Sequence, residues 1–271
     1  RNHLQNGNPV KEPPQDLNEP YHPGKYNSAT NDFTILPSTI GDLKNLKVLE
    51  LGGSSIPEIP SEIGNATALE ALYFSWSEDL VNQQIPSTIG NLTNLKHFHI
   101  QNAGIVGEMP SSMSNLTLLS YVRIGNHKTS GSNFPMNNLT GSLPDFSRAT
   151  NMRLFAMQRN SLTGDWPSYW NNGSFTKLFT LRGDYNNFTG TLHGFDKLPA
   201  MKSFGIYSNS ISGNISVATD LYQGIIIFSI GNNNITGNFP SSGWPNFWDL
   251  RHFDADNNGI TGSISCEFWQ R

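Results

Sequence analysis

The chain has 271 residues, of which 14% are charged, with a net charge of −4 and a pI near 6.0. Such a composition argues against a nucleic-acid partner, which would want a basic stripe, and the longest strongly apolar run, 225–230, is far too short to span a membrane. Cys266 is the only cysteine, which excludes an intrachain disulfide and a cysteine metal cluster.

Residues 1–30 carry Pro9, Pro13, Pro14, Pro20 and Pro23 among few apolar residues. They read as an extended strap without much helix, covering the first coil of a repeat array that begins near residue 31. No signal-peptide pattern is present at Arg1, so a mature chain or a fragment is expected. Residues 31–37 read as the tail of a degenerate repeat whose strand falls at 25–28.

From there a motif recurs: Pro-Ser-Thr-Ile-Gly-Asp-Leu-Lys-Asn-Leu at 37–46, Pro-Ser-Glu-Ile-Gly-Asn-Ala-Thr-Ala-Leu at 60–69 and Pro-Ser-Thr-Ile-Gly-Asn-Leu-Thr-Asn-Leu at 86–95. A period in this range signals a solenoid and forms one elongated unit over 31–271. Each copy leads into an apolar, two variable, apolar, one variable, apolar pattern, as in Leu46, Leu49, Leu51 and in Leu250, Phe253, Ala255; nine copies obey it. An Asn comes next in the later copies (Asn160, Asn186, Asn209, Asn233, Asn258), replaced by Ser54, Ser77 and Ala103 in the first three. Its amide is expected to pair with backbone groups of neighbouring coils, with a serine doing part of this. Ala103 cannot, so its coil needs water or a shifted neighbour such as Asn102. The second half of each repeat reads Asn-x-apolar-x-Gly-x-apolar-Pro, with Gly107, Gly141, Gly164, Gly190, Gly213, Gly237 and Gly262 at the bend. The proline closes a second short strand or starts the convex segment.

This pattern resembles the plant-type leucine-rich repeat, over residues 31 to 265. Such repeats build receptor-like kinase and receptor-like protein ectodomains, polygalacturonase-inhibiting proteins, and protist and bacterial surface proteins. The resemblance implies a curved, right-handed solenoid with a parallel β-sheet on its concave face and an irregular or 3-10 convex side. It also implies an extracellular or cell-surface location. A single cysteine departs from the plant pattern, whose arrays are capped by cysteine pairs.

Two insertions interrupt the array. About ten extra residues, 127–136, leave directly after the fourth strand and should sit on the rim of the concave face. An aromatic stretch at 166–173 is expected to pack on the convex side. At the end, Ile264, Phe268 and Trp269 would leave the last coil bare, so further chain or another subunit should cover them.

No nucleophile motif, phosphate loop or zinc-protease signature occurs, so no catalytic residue, cofactor or enzyme activity is expected. The run Asp254–Gly259 opens like a calcium loop but puts Ser265 where a bidentate Glu is required. His252, Asp254 and Asp256 alternate on one face, as do His97 and His99, without a metal set to assign.

The register computes which side chains line the concave face. Tyr73, His97, His99, Tyr121, Arg123 and Arg182 lie on strands; Trp76, Arg159, Asp184, Tyr185 and Tyr207 lie just beyond them. All eleven are expected to be exposed and to bind a protein, peptide or glycan ligand, since Tyr, Trp and Arg dominate binding energetics. Arg159 and Arg182 should bridge an anionic group, with Tyr185 and Tyr207 giving stacking area. Asn-x-Ser/Thr occurs at Asn65, Asn91, Asn115, Asn138, Asn172, Asn187, Asn214 and Asn234, all placed to point outward as glycosylation acceptors. Two other readings remain open. One is a structural scaffold in a larger surface assembly. The other is ice binding, against which irregular inserts and varied convex segments weigh.

Overall fold

A computed structural model describes residues 34–77, 79–127, 134–220, 224–239 and 249–263. The strap at 1–30, the strand at 25–28, the insert residues 128–133 and the terminal Ile264, Phe268 and Trp269 lie outside them.

Nine three-residue strands, one per coil, form a parallel sheet. They are β1 (Val48–Glu50), β2 (Ala71–Tyr73), β3 (His97–His99), β5 (Tyr121–Arg123), β7 (Leu154–Ala156), β8 (Thr180–Arg182), β9 (Ser203–Gly205), β11 (Ile227–Ser229) and β13 (His252–Asp254), paired in that order. The register is unbroken: the middle residues Leu49, Leu72, Phe98, Val122, Phe155, Leu181, Phe204, Phe228 and Phe253 align across the sheet. The remaining strands flank it as smaller parallel sheets, β4 (Val106–Glu108) with β6 (Asn138–Thr140), and β10 (Ser212–Asn214), β12 (Asn234–Asn238) and β14 (Gly259–Thr261).

The convex side carries 3-10 turns at Ser38–Asp42, Ser61–Asn65, Ser87–Asn91, Ser111–Asn115, Ser168–Asn171 and Ile215–Asp220. Pro37, Pro60, Pro86, Pro110 and Pro167 precede the first five, so the proline opens the convex segment. The Ile-Gly pair inside the motif has a packing cause. Ile40, Ile63 and Ile89 are buried, and a Cβ on Gly41, Gly64 or Gly90 would collide with the backbone of the next turn at Glu62, Thr88 or Ser112.

Apolar residues from every coil fill the space between these sides, with Phe195, Phe204, Phe228 and Phe253 in ring contact at 4.8–5.8 Å. Trp166 and Trp170 of the aromatic insertion join this core rather than forming a surface patch.

The asparagine ladder has a repeating geometry. Asn233 donates to Ile230 O of its own coil (3.0 Å) and Ile206 O of the preceding one (2.9 Å), and accepts from Ile211 N (3.0 Å). Among the described residues, Ser54 and Ser77 reach only their own coils, at Leu51 O and Phe74 O. The coil of Ala103 is served by a side chain other than Asn102. Asn137, beyond the insertion, accepts from Ala103 N and Ile105 N (3.0 and 3.1 Å) and donates to Ile100 O and Ile124 O (2.6 and 3.1 Å). The insertion therefore displaces the fourth ladder residue along the sequence without displacing it in space. Asn102 instead clips the insertion's base, bonding His127 N and O.

Candidate functional site: the concave face and its rim

Strands stacked about 4.8 Å apart bring side chains of adjacent coils into contact on the concave face. This overturns the expected exposure of four residues. Tyr73, His99, Tyr121 and Asp184 are buried, at 4, 1, 5 and 2% exposure, because neighbours of similar size close over them. Tyr73 meets His99 edge-on at 4.8 Å, and Tyr121 stacks on His97 at 4.9 Å. Tyr121 also packs with Leu154 and Ala156 in a small apolar cluster outside the main core. These side chains form the floor of the face. Trp76, His97, Arg123, Arg159, Arg182 and Tyr207 are half-exposed, and Tyr185 is open to solvent.

The two arginines do not converge on an anion. Arg182 Nε is held 2.5 Å from Asp184 Oδ2, while Asp184 Oδ1 accepts from Tyr207 N. Gly205, the strand neighbour of Arg182, leaves the space this pair fills; a Cβ there would collide with both partners. Arg159 lies instead over the Tyr185 ring, 4.1 Å from its centroid, and Tyr185 meets Tyr207 at 5.3 Å. Further along, Asp254, Asp256 and Tyr207 crowd over Gly231. Loss of solvent, then the Asp254 charge, raises the Asp256 carboxyl above its ordinary range.

The residue at the end of the concave segment is left-handed in coil after coil. Gly53, Asn102, Asn232 and Asn257 suit this conformation, but Trp76 (φ 64), Arg159 (φ 59) and Tyr185 (φ 55) are bulky side chains held in it. An inter-coil bond fixes each one: Trp76 N donates to Gln101 O, Arg159 N to Asp184 O and Tyr185 N to Tyr207 O, at 2.6–2.8 Å. Trp76 then stacks on His127 and meets Phe134 edge-on, both of them residues of the insertion. The sequence register places these residues on the rim but carries no sign of the strain, which belongs to the turn and not to the strand pattern.

His99 sits on the floor among Tyr73, His97 and Arg123. Burial holds its imidazole well below the usual histidine range, and the positive charges of Arg123 and His97 push the same way. The unfolded chain binds that proton first, so stability is full above about pH 6.5 and is lost as pH falls toward the folded value. We expect the urea midpoint to fall between pH 7 and 5, and to fall less in His99→Gln. Equal slopes in the two proteins would show that His99 titrates normally. No group of three or more His, Cys, Asp or Glu arranged to hold a metal occurs among the described residues.

No family model and no curated protein matches the chain. Solved structures do. A plant peptide hormone receptor, RGFR1 in complex with RGF2, is 25% identical with a TM-score of 0.68, over 86% of this chain and 40% of that one. The leucine-rich-repeat ectodomain of the membrane receptor kinase GASSHO1/SCHENGEN3 from Arabidopsis thaliana, in complex with Casparian strip integrity factor 2, is 22% identical with a TM-score of 0.69, over 88% of this chain and 30% of that one. A plant ice-binding protein is 20% identical with a TM-score of 0.54, over 82% and 73% of the two chains. The chain spans less than half the length of either receptor chain. Together with the coil geometry, these matches show the leucine-rich-repeat fold.

Proposed function

We propose that this solenoid is a non-catalytic recognition module, extracellular or on a cell surface, that binds an extended peptide or protein segment along the rim from Trp76 to Tyr207. One observation carries the reading: Trp76, Arg159 and Tyr185 occupy left-handed positions where Asn or Gly would relieve strain. Strain of this kind, about 1–2 kcal/mol per residue, persists where the side chain serves something beyond folding. Support comes from the two matched plant receptors, each solved in complex with a partner. The described residues include no helix long and apolar enough to cross a membrane. The test is selection of binders from a random peptide display library on the native chain, followed by titration of rim variants. Failure to select any binder that competes at Tyr185 would sink the reading.

All eight sequon asparagines are exposed and none lies on the concave face. We expect sugar on at least two of them in material from a eukaryotic host. Intact mass would then exceed 30.0 kDa and fall on glycosidase treatment; an unchanged mass would leave the motifs as products of the repeat alone.

Ice binding has one observation in its favour. Thr189, Ser212, Thr236 and Thr261 are exposed on the flanking strips. However, Ser212, Thr236 and Thr261 donate back to Gly190, Gly213 and Gly237 of preceding coils, and Asn187 and Asn234 would place sugars there. Thermal hysteresis of the sugar-free chain decides it, and we expect none.

A further inference from the structure

We propose that the flank just ahead of the concave strands binds a linear acidic polysaccharide in which charged and neutral sugars alternate. The residue preceding each strand belongs to one column, its carbonyl accepting from the next coil's strand. In the first, third, fifth, seventh and ninth coils that residue is a cation: Lys47, Lys96, Arg153, Lys202 and Arg251. They lie 49, 57, 49 and 49 residues apart, a double period that composition cannot show. In the coils between stand Glu70, Ser120, Phe179 and Ile226. An overall acidic chain thus carries a basic row on one flank, contrary to the expectation from composition alone.

Glu70 bridges Lys47 (3.0 Å) and Lys96 (2.7 Å) and neutralises part of the first half. Arg153, Lys202 and Arg251 form no ion pair among the described residues. Lys177 adds a charge beside them, bonded to Asn151 Oδ1 of the coil before. Phe179 and Ile226, half-exposed between these cations, offer apolar surface on which a neutral sugar ring can lie.

Spacing selects the ligand. Charges two strands apart are roughly 10 Å from one another, and the row spans roughly 38 Å. A compact anion would meet one cation only. Duplex DNA presents a charge about every 1.7 Å, so this row would neutralise few of them. A membrane surface is gripped by clusters of basic residues rather than a single file. A pyranose unit advances about as far as one coil, so a polymer with one acid per disaccharide meets a cation at every charge.

The test is biolayer interferometry of the native chain at about 50 mM salt on immobilised hyaluronan, with alginate, neutral dextran, single-stranded DNA and phosphatidylserine vesicles alongside. Hyaluronan should bind most tightly, and binding should weaken at about 300 mM salt. The triple variant Arg153→Gln/Lys202→Gln/Arg251→Gln should lose about tenfold in affinity, the sum of three exposed charge contacts. A charge-matched control, Ser38→Glu/Ser61→Glu/Ser111→Glu on the convex turns, should stay within about twofold, since its changes lie far from the row. Absent hyaluronan binding, equal losses in the two triples, or tighter binding to alginate, DNA or vesicles would overturn the proposal. Rim variants such as Arg159→Asn should leave this binding intact, so it can fail independently of the peptide reading.

Discussion

Asn137→Ala is expected to destabilise the chain by about 3–5 kcal/mol, the largest single-residue effect outside the apolar core. The asparagine is 3% exposed and pairs four backbone groups with its side chain: two N–H of the third coil, one carbonyl of that coil and one of its own. Alanine takes this partner from Ala103 N, Ile105 N and Ile100 O, while Ile124 O keeps its bond from Asn160 Nδ2 (3.1 Å). The third coil offers no substitute for the other three, because it carries Ala103 at its own ladder position. Urea unfolding should show the loss; a change below about 1 kcal/mol would mean that water replaces the amide at low cost. Asn258→Ala, in a half-exposed coil, should cost only about 1–2 kcal/mol because solvent reaches its partners.

Arg159→Asn and Tyr185→Asn should separate binding from folding. Each is expected to reduce affinity for a rim-bound peptide by about 1–3 kcal/mol, as truncation of a central aromatic or arginine does. Each also relieves a left-handed backbone, which offsets the lost ring contacts, themselves worth about 0.5–1.5 kcal/mol. Stability should therefore stay within about 0.5 kcal/mol of the parent or rise. Unchanged affinity would refute the rim assignment. A fall in stability beyond about 1.5 kcal/mol together with weaker binding would recast these residues as structural.

The fold was legible because every level repeats. Proline, glycine and ladder asparagine recur at the same offsets, so nine weak local signals fix one register, and that register is the observed one. Burial on the concave face was not legible. It depends on the size of the residue one coil away: His99 is covered because Tyr73 and Arg123 flank it, while Tyr185 stays open. The fate of the Ala103 coil was hidden for another reason. Its partner Asn137 lies behind an insertion, so sequence distance suggested Asn102. The Arg182–Asp184 pair was written at the i, i+2 spacing that shares a strand face, but its meaning rested on the space left by Gly205. The basic row was scattered over four double periods and became a surface only when the coils stacked.

Hydroxyl-radical footprinting with a display-selected peptide tests the central claim most directly. Trp76, Tyr185 and Tyr207 are accessible rings on the rim and should oxidise in the free protein. Saturating peptide should protect all three and leave the exposed Leu43, at the end of the convex turn Ser38–Asp42, as reactive as before. Protection of Leu43 with Tyr185 and Tyr207 still reactive would contradict a concave-rim recognition site.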